Sequence, residues 1–170
     1  ARDWREIDIY TATADGLFLY DPSANLLKPV LAEDIRELTG KQPFVKDAPV
    51  NLIFVANYSR MSGAGDEDKR FYAATDTGFI SQNIYLFCAS EGLATVVRGY
   101  VDREALAKKM NLAPDQAVIL AQSSLDSSYI YAACRKVPGA GTVFFLGPFD
   151  EPENDVYDLI RAAIYARDCK

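Results

Sequence analysis

The spacing of hydrophobic positions changes several times along the chain, and each change marks a new element. Glu6-Ile7-Asp8-Ile9-Tyr10-Thr11-Ala12 alternates polar and apolar residues, the period-two signature of a strand with one buried face. Asp15-Gly16 then supplies a turn, and Leu17-Phe18-Leu19-Tyr20 gives a second short strand ended by Asp21-Pro22, so this stretch predicts a hairpin. Ala32 to Thr39 has helical spacing at Ile35 and Leu38, with Gly40 where a helix C-terminus needs a left-handed residue. Asn51-Leu52-Ile53-Phe54-Val55-Ala56 is almost continuously apolar, which predicts a strand buried on both faces at the centre of a sheet.

Ser62-Gly63-Ala64-Gly65-Asp66-Glu67-Asp68 is small, glycine-containing and then acidic, a surface loop leading into a helix whose first turn favours carboxylates. Lys69 to Ser90 is the longest helical stretch. Its apolar residues Phe71, Ala74, Gly78, Ile80, Ile84, Leu86, Phe87 and Cys88 surround the axis, which predicts a central, largely buried helix closed by Gly92. Thr95-Val96-Val97 reads as a strand, Asp102 to Met110 as an amphipathic helix capped by Asp102, and Ala117 to Ala121 as another buried strand. After Ser123 the pattern changes. Ser124-Leu125-Asp126-Ser127-Ser128 is a polar spacer, Val137 to Gly141 a loop, Thr142 to Leu146 a strand and Asn154 to Arg167 a helix. The expected organisation is a core over residues 1–123 and a C-terminal strand-helix extension over 124–170 that packs on it through Ile160, Ala163, Ile164 and Ala166.

Composition narrows the chemistry. With 49% hydrophobic and 25% charged residues in 170, the chain is of globular type and long enough for one real core. Its net charge of −6 argues against a nucleic-acid surface, which needs clustered Lys and Arg. No apolar run reaches the roughly 20 residues of a membrane span, and Ala1 to Tyr10 lacks the basic start and apolar stretch of a signal peptide, so a cytoplasmic location is expected. Cys88, Cys134 and Cys169 are far apart and form no pair with metal-ligand spacing, so no metal site is expected. There is no histidine, which removes the commonest general base near neutral pH and any Ser-His or Cys-His nucleophile. A redox cofactor is the chemistry best suited to such a chain.

The residues FYAATDTGFISQNIYLFCASEGLATVVRGYVDREALAKKMNLAPDQAVILAQS, preceded in order by WREIDIYTATADGLFLYDP, LKPVLAEDIRELTG and KDAPVNLIFVANYSRM, resemble the nitroreductase superfamily, in the branch related to peptide-azoline dehydrogenases. The likeness covers about residues 1–123. It implies an α+β fold with a mixed sheet flanked by helices, and a homodimer that holds FMN at the subunit interface. It also implies electron transfer from NAD(P)H, as co-substrate, through the flavin to a small-molecule acceptor. The flavin carries the hydride, so no catalytic side chain is obligatory.

Transferred residue by residue, the resemblance places Glu91, Gly92, Leu93 and Ala94 at the flavin ring, where glycine lets backbone amides approach. Asp3 falls where the family usually has a flavin-contacting Asn, and Arg5 where it often has Gln. Arg98, before Gly99, is a candidate for an anionic cofactor edge, with a surface salt bridge as its plain alternative. Plain alternatives also exist for the others: Gly92 as a helix cap, Gln82 and Asn83 as core hydrogen bonders, and Tyr72, Phe79 and Tyr85 as core aromatics instead of pocket lining. The family's Arg-Arg-Ser-x-Arg phosphate cluster has no counterpart in this sequence. Two functions therefore stand side by side: an FMN-dependent oxidoreductase, and a non-catalytic structural or interaction module built on the same fold.

Overall fold

The structure is a computed structural model and describes residues 3–125. Six strands form one sheet: β1 (Ile7–Thr13), β2 (Gly16–Asp21), β3 (Leu26–Leu31), β4 (Val50–Asn57), β5 (Ala94–Arg98) and β6 (Gln116–Leu125). Their order is β3-β2-β1-β4-β6-β5, and every pairing between them is antiparallel. Helix α1 (Asp66–Glu91) joins β4 to β5, and the short helix α2 (Arg103–Lys109) joins β5 to β6. This is the α+β class that the resemblance implies, but among the described residues the sheet is wholly antiparallel and not mixed, because each neighbouring pair of strands runs in opposite directions.

β4 occupies the sheet centre, and its residues from Val50 to Ala56 are buried. Alternate side chains leave on opposite faces. Leu52 and Phe54 pack with Ile9 of β1 and with Ile84 and Cys88 of α1. Ile53 and Val55 pack with Tyr10 and Ala12 of β1, Val118 of β6, and Leu106 and Met110 of α2 or its C-terminal end. The apolar run thus demands two covers, one from each helix.

Several local expectations are corrected. The Ala32–Thr39 helix is only a 3-10 turn at Arg36–Thr39, and Gly40 is extended, with φ 178°. Glycine is required there for space: a Cβ at Gly40 would lie 2.0 Å from the Arg98 guanidinium. β3, which the alternation pattern does not announce, is an edge strand whose Pro29 is tolerated at the sheet margin. β6 runs on through Ser124 and Leu125, pairing them with Val50, Thr95 and Ala94, where the sequence suggests a polar spacer. The expected loop, strand and helix beyond Asp126 lie outside the described residues.

α1 begins at Asp66 with Asp66, Glu67 and Asp68 in its first turn, complementing the helix dipole. It ends at Gly92, whose φ of 72° supplies the left-handed cap the sequence predicts. It is not buried all round. Its buried residues are Ala73, Thr77, Ser81, Ile84 and Cys88, a narrow and mostly small stripe that lets the helix lie close on the sheet. Phe71, Tyr72, Phe79 and Leu86 point away from the sheet and are 44–65% exposed. Among the described residues, no helix is long and apolar enough to cross a membrane.

One buried polar cluster fixes the segment between β3 and β4. Arg98, 3% exposed, donates to the Thr39 carbonyl at 2.6 Å and to Asn51 Oδ1 at 3.0 Å, while Asn51 Nδ2 donates to the Val45 carbonyl at 2.7 Å. Desolvation pulls the guanidinium down to about 10, so it remains charged at neutral pH. Arg98→Met removes the donor to the buried Thr39 carbonyl, while Asn51 Oδ1 keeps its bond from Ser123 Oγ. The expected result is a stability loss of about 1–3 kcal/mol in urea unfolding, the cost of one buried acceptor left unpaired. A loss below about 0.5 kcal/mol would show that the 36–48 segment is held without the Arg98 guanidinium.

Candidate functional site

At the start of β1 the sheet leaves a cavity of about 360 Å³, within the roughly 300–1,000 Å³ that small-molecule sites occupy. Trp4 and Arg5 precede the strand, Ile7, Asp8 and Ile9 belong to it, and Tyr20, Pro22 and Ser23 come from the end of β2. Antiparallel pairing of β1 with β2 puts these two ends side by side. Arg60, in the 3-10 turn that follows β4, completes the wall. Trp4, Tyr20, Ile7 and Ile9 supply flat and aliphatic surface, while Arg5 and Arg60 supply two guanidinium groups and Ser23 a hydroxyl.

The polar half of this cavity is tied together. Arg60 meets Asp8 in a fork, Nη1 to Oδ1 at 2.8 Å and Nη2 to Oδ2 at 3.0 Å, and the same Nη1 donates to the Arg5 carbonyl at 2.9 Å. Arg5 has a left-handed backbone with φ 53°, unusual for a residue with a side chain and costing about 1–2 kcal/mol. The carbonyl bond from Arg60 is charge-assisted and of comparable size, about 1.5–3 kcal/mol before solvent screening. The Asp8 side chain is 15% and that of Arg60 40% exposed, which brings the pair itself nearer about 1 kcal/mol. Asp3 and Arg5 form a second pair, Nε to the carboxylate at 2.9 and 3.0 Å, both groups well exposed. On the apolar side, Trp4 meets Tyr72 of α1 edge to face with centroids 5.9 Å apart.

The residues expected at the end of α1 occupy a different place. Glu91 is exposed and accepts a bond from Ser90 Oγ at 3.3 Å, whereas Leu93 and Ala94 are buried. The Gly92 and Leu93 amides both donate to the Cys88 carbonyl, the latter at 2.7 Å, so they serve the helix cap. None of Glu91, Gly92, Leu93 or Ala94 lines the cavity. The link is indirect: Leu93 shares a buried cluster with Ile9, and Ile9 lines the cavity.

Arg98 is not in a surface salt bridge: its guanidinium is buried on the face of the sheet opposite α1, bonded to Thr39 and Asn51. Gln82 is exposed and Asn83 half-buried, and the core amides are instead Asn51 and Gln122, the latter donating from Nε2 to Thr95 Oγ1 at 3.1 Å. Tyr85 accepts from the Val97 amide at 2.8 Å and fastens α1 to β5, while Phe79 faces outward. Burial pushes the Cys88 thiol up to about 12, so it is inert as a nucleophile. Among the described residues no group of side chains is arranged to hold a metal.

Sequence reasoning singled out Asp3 and Arg5 but missed Trp4, Asp8, Tyr20 and Arg60. The available signals were faint. Trp4 is the chain's single tryptophan, and Asp8 is a carboxylate set between Ile7 and Ile9 in a strand of the sheet interior. Nothing in the sequence announces that Arg60 reaches across to Asp8.

Comparison with known proteins agrees with this fold. A nitroreductase-type protein of Methanocaldococcus jannaschii is 36% identical over 96 residues, which is 53% of this chain and 48% of the relative. The crystal structure of a nitroreductase-type protein from Ralstonia eutropha JMP134 superimposes with a TM-score of 0.66 at 42% identity, covering 70% of this chain and 57% of the other. The NADPH:FMN oxidoreductase of Vibrio harveyi, solved with NAD+, shares the fold alone, with a TM-score of 0.51 at 18% identity over 96% of this chain and 69% of the other. The chain thus spans about half the length of its M. jannaschii and R. eutropha relatives. The pattern of the Nitroreductase family matches residues 5–123, well over half of the sequence, and the chain belongs to that family.

Proposed function

We propose that the chain is the core of an FMN-dependent oxidoreductase that takes electrons from NAD(P)H and passes them to a small organic acceptor. The observation that carries this reading is the cavity at the start of β1, where flat apolar walls stand beside two guanidinium groups in a member of the Nitroreductase family. That combination fits a planar, electron-accepting ring whose reduced form is anionic. Trp4, Tyr20, Ile7 and Ile9 would exclude water from one side of it, and Arg5 and Arg60, each paired with a carboxylate, would set guanidinium donors beside it. Asp3 would orient Arg5 through their ion pair. At the other end of the site, Glu91, Gly92, Leu93 and Ala94 would form a backbone edge whose position Leu93 sets through Ile9. Bound FMN supplies the reversible two-electron chemistry, so a chain without histidine needs no imidazole base.

A homodimer belongs to the same proposal. Phe79 stands at the middle of Asp66–Glu91, with Tyr72 and Leu86 seven residues to either side. Two copies crossing antiparallel at Phe79 would set Tyr72 against Leu86 twice, the self-complementarity that a twofold interface requires. The four exposed apolar side chains of α1 would bury roughly 400–500 Å² per copy, about half of a standard interface side.

A second reading is favoured by one observation: the Gly92 and Leu93 amides are already used by the helix cap. In that reading the fold serves as an interaction module without flavin.

Two measurements separate these possibilities. Titration of the full chain with FMN, followed by desalting and an absorbance scan between about 300 and 550 nm, is expected to leave flavin bands bleached by anaerobic NADH or NADPH. A folded protein that emerges colourless at every FMN concentration sinks the oxidoreductase reading and leaves the module. Sedimentation of Phe79→Glu is expected to show a monomer where the unaltered chain is a dimer, since a charge at the crossing point is left unpaired on burial. An unaltered chain that sediments as a monomer overturns the α1 interface.

A further inference from the structure

Arg60 borders the cavity and also reaches out of it, donating to the Arg5 carbonyl. That atom is well chosen. Arg5 is in the left-handed region, so the direction of its carbonyl and the direction of its side chain are fixed together. A bond that holds the carbonyl holds the turn, and the turn decides whether Trp4 and Arg5 face the cavity. The next residue is held as well, because the Asn57 amide donates to the Glu6 carbonyl at 2.7 Å. The start of β1 is therefore gripped at two successive carbonyls by the end of β4 and the turn that follows it. Asp8 fixes the gripping hand: its fork on Arg60 leaves Nη1 aimed at Arg5.

We propose that Arg60 is a positioning residue: clamped by Asp8, its guanidinium holds the Arg5 carbonyl and thereby sets Trp4 and Arg5 at the rim of the cavity. The clamp is a property of this chain's own residues. Its consequence for a bound flavin rests on the function proposed above.

Trp4 makes the test direct, because it is the only tryptophan in the chain and every change in tryptophan emission reports this segment. Emission maxima and acrylamide quenching are compared for the unaltered protein, Arg60→Met, Arg60→Lys and Asp8→Asn. Far-UV circular dichroism and the urea midpoint serve as a check that the sheet is intact. Arg60→Met is expected to shift Trp4 emission to the red and roughly double its quenching constant, as a locally released segment gains solvent. Arg60→Lys, which keeps one charged donor but loses the fork, is expected to fall between the two. Asp8→Asn is expected to move in the same direction as Arg60→Met. Unchanged Trp4 emission and quenching in Arg60→Met overturns the proposal, and if that variant does not fold, the same result in Asp8→Asn does so.

The second arm measures FMN affinity by fluorescence quenching of the flavin. A loss of about tenfold in Arg60→Met, partly restored in Arg60→Lys, is expected if the clamp orients groups that meet the ring. Equal affinity in both variants and the unaltered protein, with Trp4 released, overturns the link from the clamp to the cofactor. Absence of FMN binding in the unaltered protein removes the proposed function, while the Trp4 readout still decides the clamp.

Discussion

β4 is apolar on both faces, and most of the structure follows from covering it. Leu52, Ile53, Phe54 and Val55 are fully buried, each worth about 1.5–3 kcal/mol of transfer free energy. Because they alternate, neither helix alone can shelter them; α1 takes one set and α2 with its C-terminal end takes the other. The sheet must then continue to either side, with β1 paired in one register, Ile7 to Ala56 and Asp8 to Val55. A slip of one residue would turn Ile9 out of its cluster and Asp8 into it. The register also fixes where the chain leaves β4. Asn57 through Arg60 emerge beside the first residues of β1, and the approach of Arg60 to Asp8 is the result.

Two arginines in the same sheet show how position decides role. Arg98 lies over Ala121 and Ser123, small residues that let its side chain cross β6 and reach Asn51 on β4. Its bonds go to a carbonyl, a hydroxyl and an amide oxygen, and so it works as a buried strut for the 36–48 segment. Arg60 is partly open to solvent, faces a carboxylate and borders a cavity. The first kind of site stabilises by satisfying buried acceptors; the second can respond to a ligand, because its desolvation is incomplete until something covers it.

What the sequence revealed divides along physical lines. Alternation in Glu6–Ala12, the apolar run of β4, the acidic start and glycine end of α1, and the Asp102 cap on α2 are local signals, and each corresponds to an element. Asp102 accepts from the Ala105 amide at 3.1 Å, as a capping residue should. The misreadings needed non-local information. Gly40 is glycine because of Arg98, fifty-eight positions away, and no local pattern contains that fact. β3 is masked by Pro29, which only an edge position permits. α1 has apolar residues all round because it has two apolar faces of different kinds, small toward the sheet and large away from it, and periodicity alone cannot tell which one is covered. Of the residues the resemblance points to, Arg5 lines the cavity and Asp3 only pairs with it, while Asp8 and Arg60 form a pair 52 residues apart whose existence depends on the register of β1 against β4.

The outer face of α1 and the cavity share one side chain pair. Trp4 lines the cavity and rests edge-on against Tyr72, and Tyr72 is part of the exposed apolar face of α1. Trp4 is thus held from two directions: through the backbone of Arg5 by Arg60, and through its ring by Tyr72. An aromatic edge-to-face contact contributes about 0.5–1.5 kcal/mol beyond area burial, and more of it is realised when the partner ring is itself immobile. The geometry of the site is therefore set partly by β1 and by Arg60 in the turn that follows β4, and partly by the Tyr72 ring of α1.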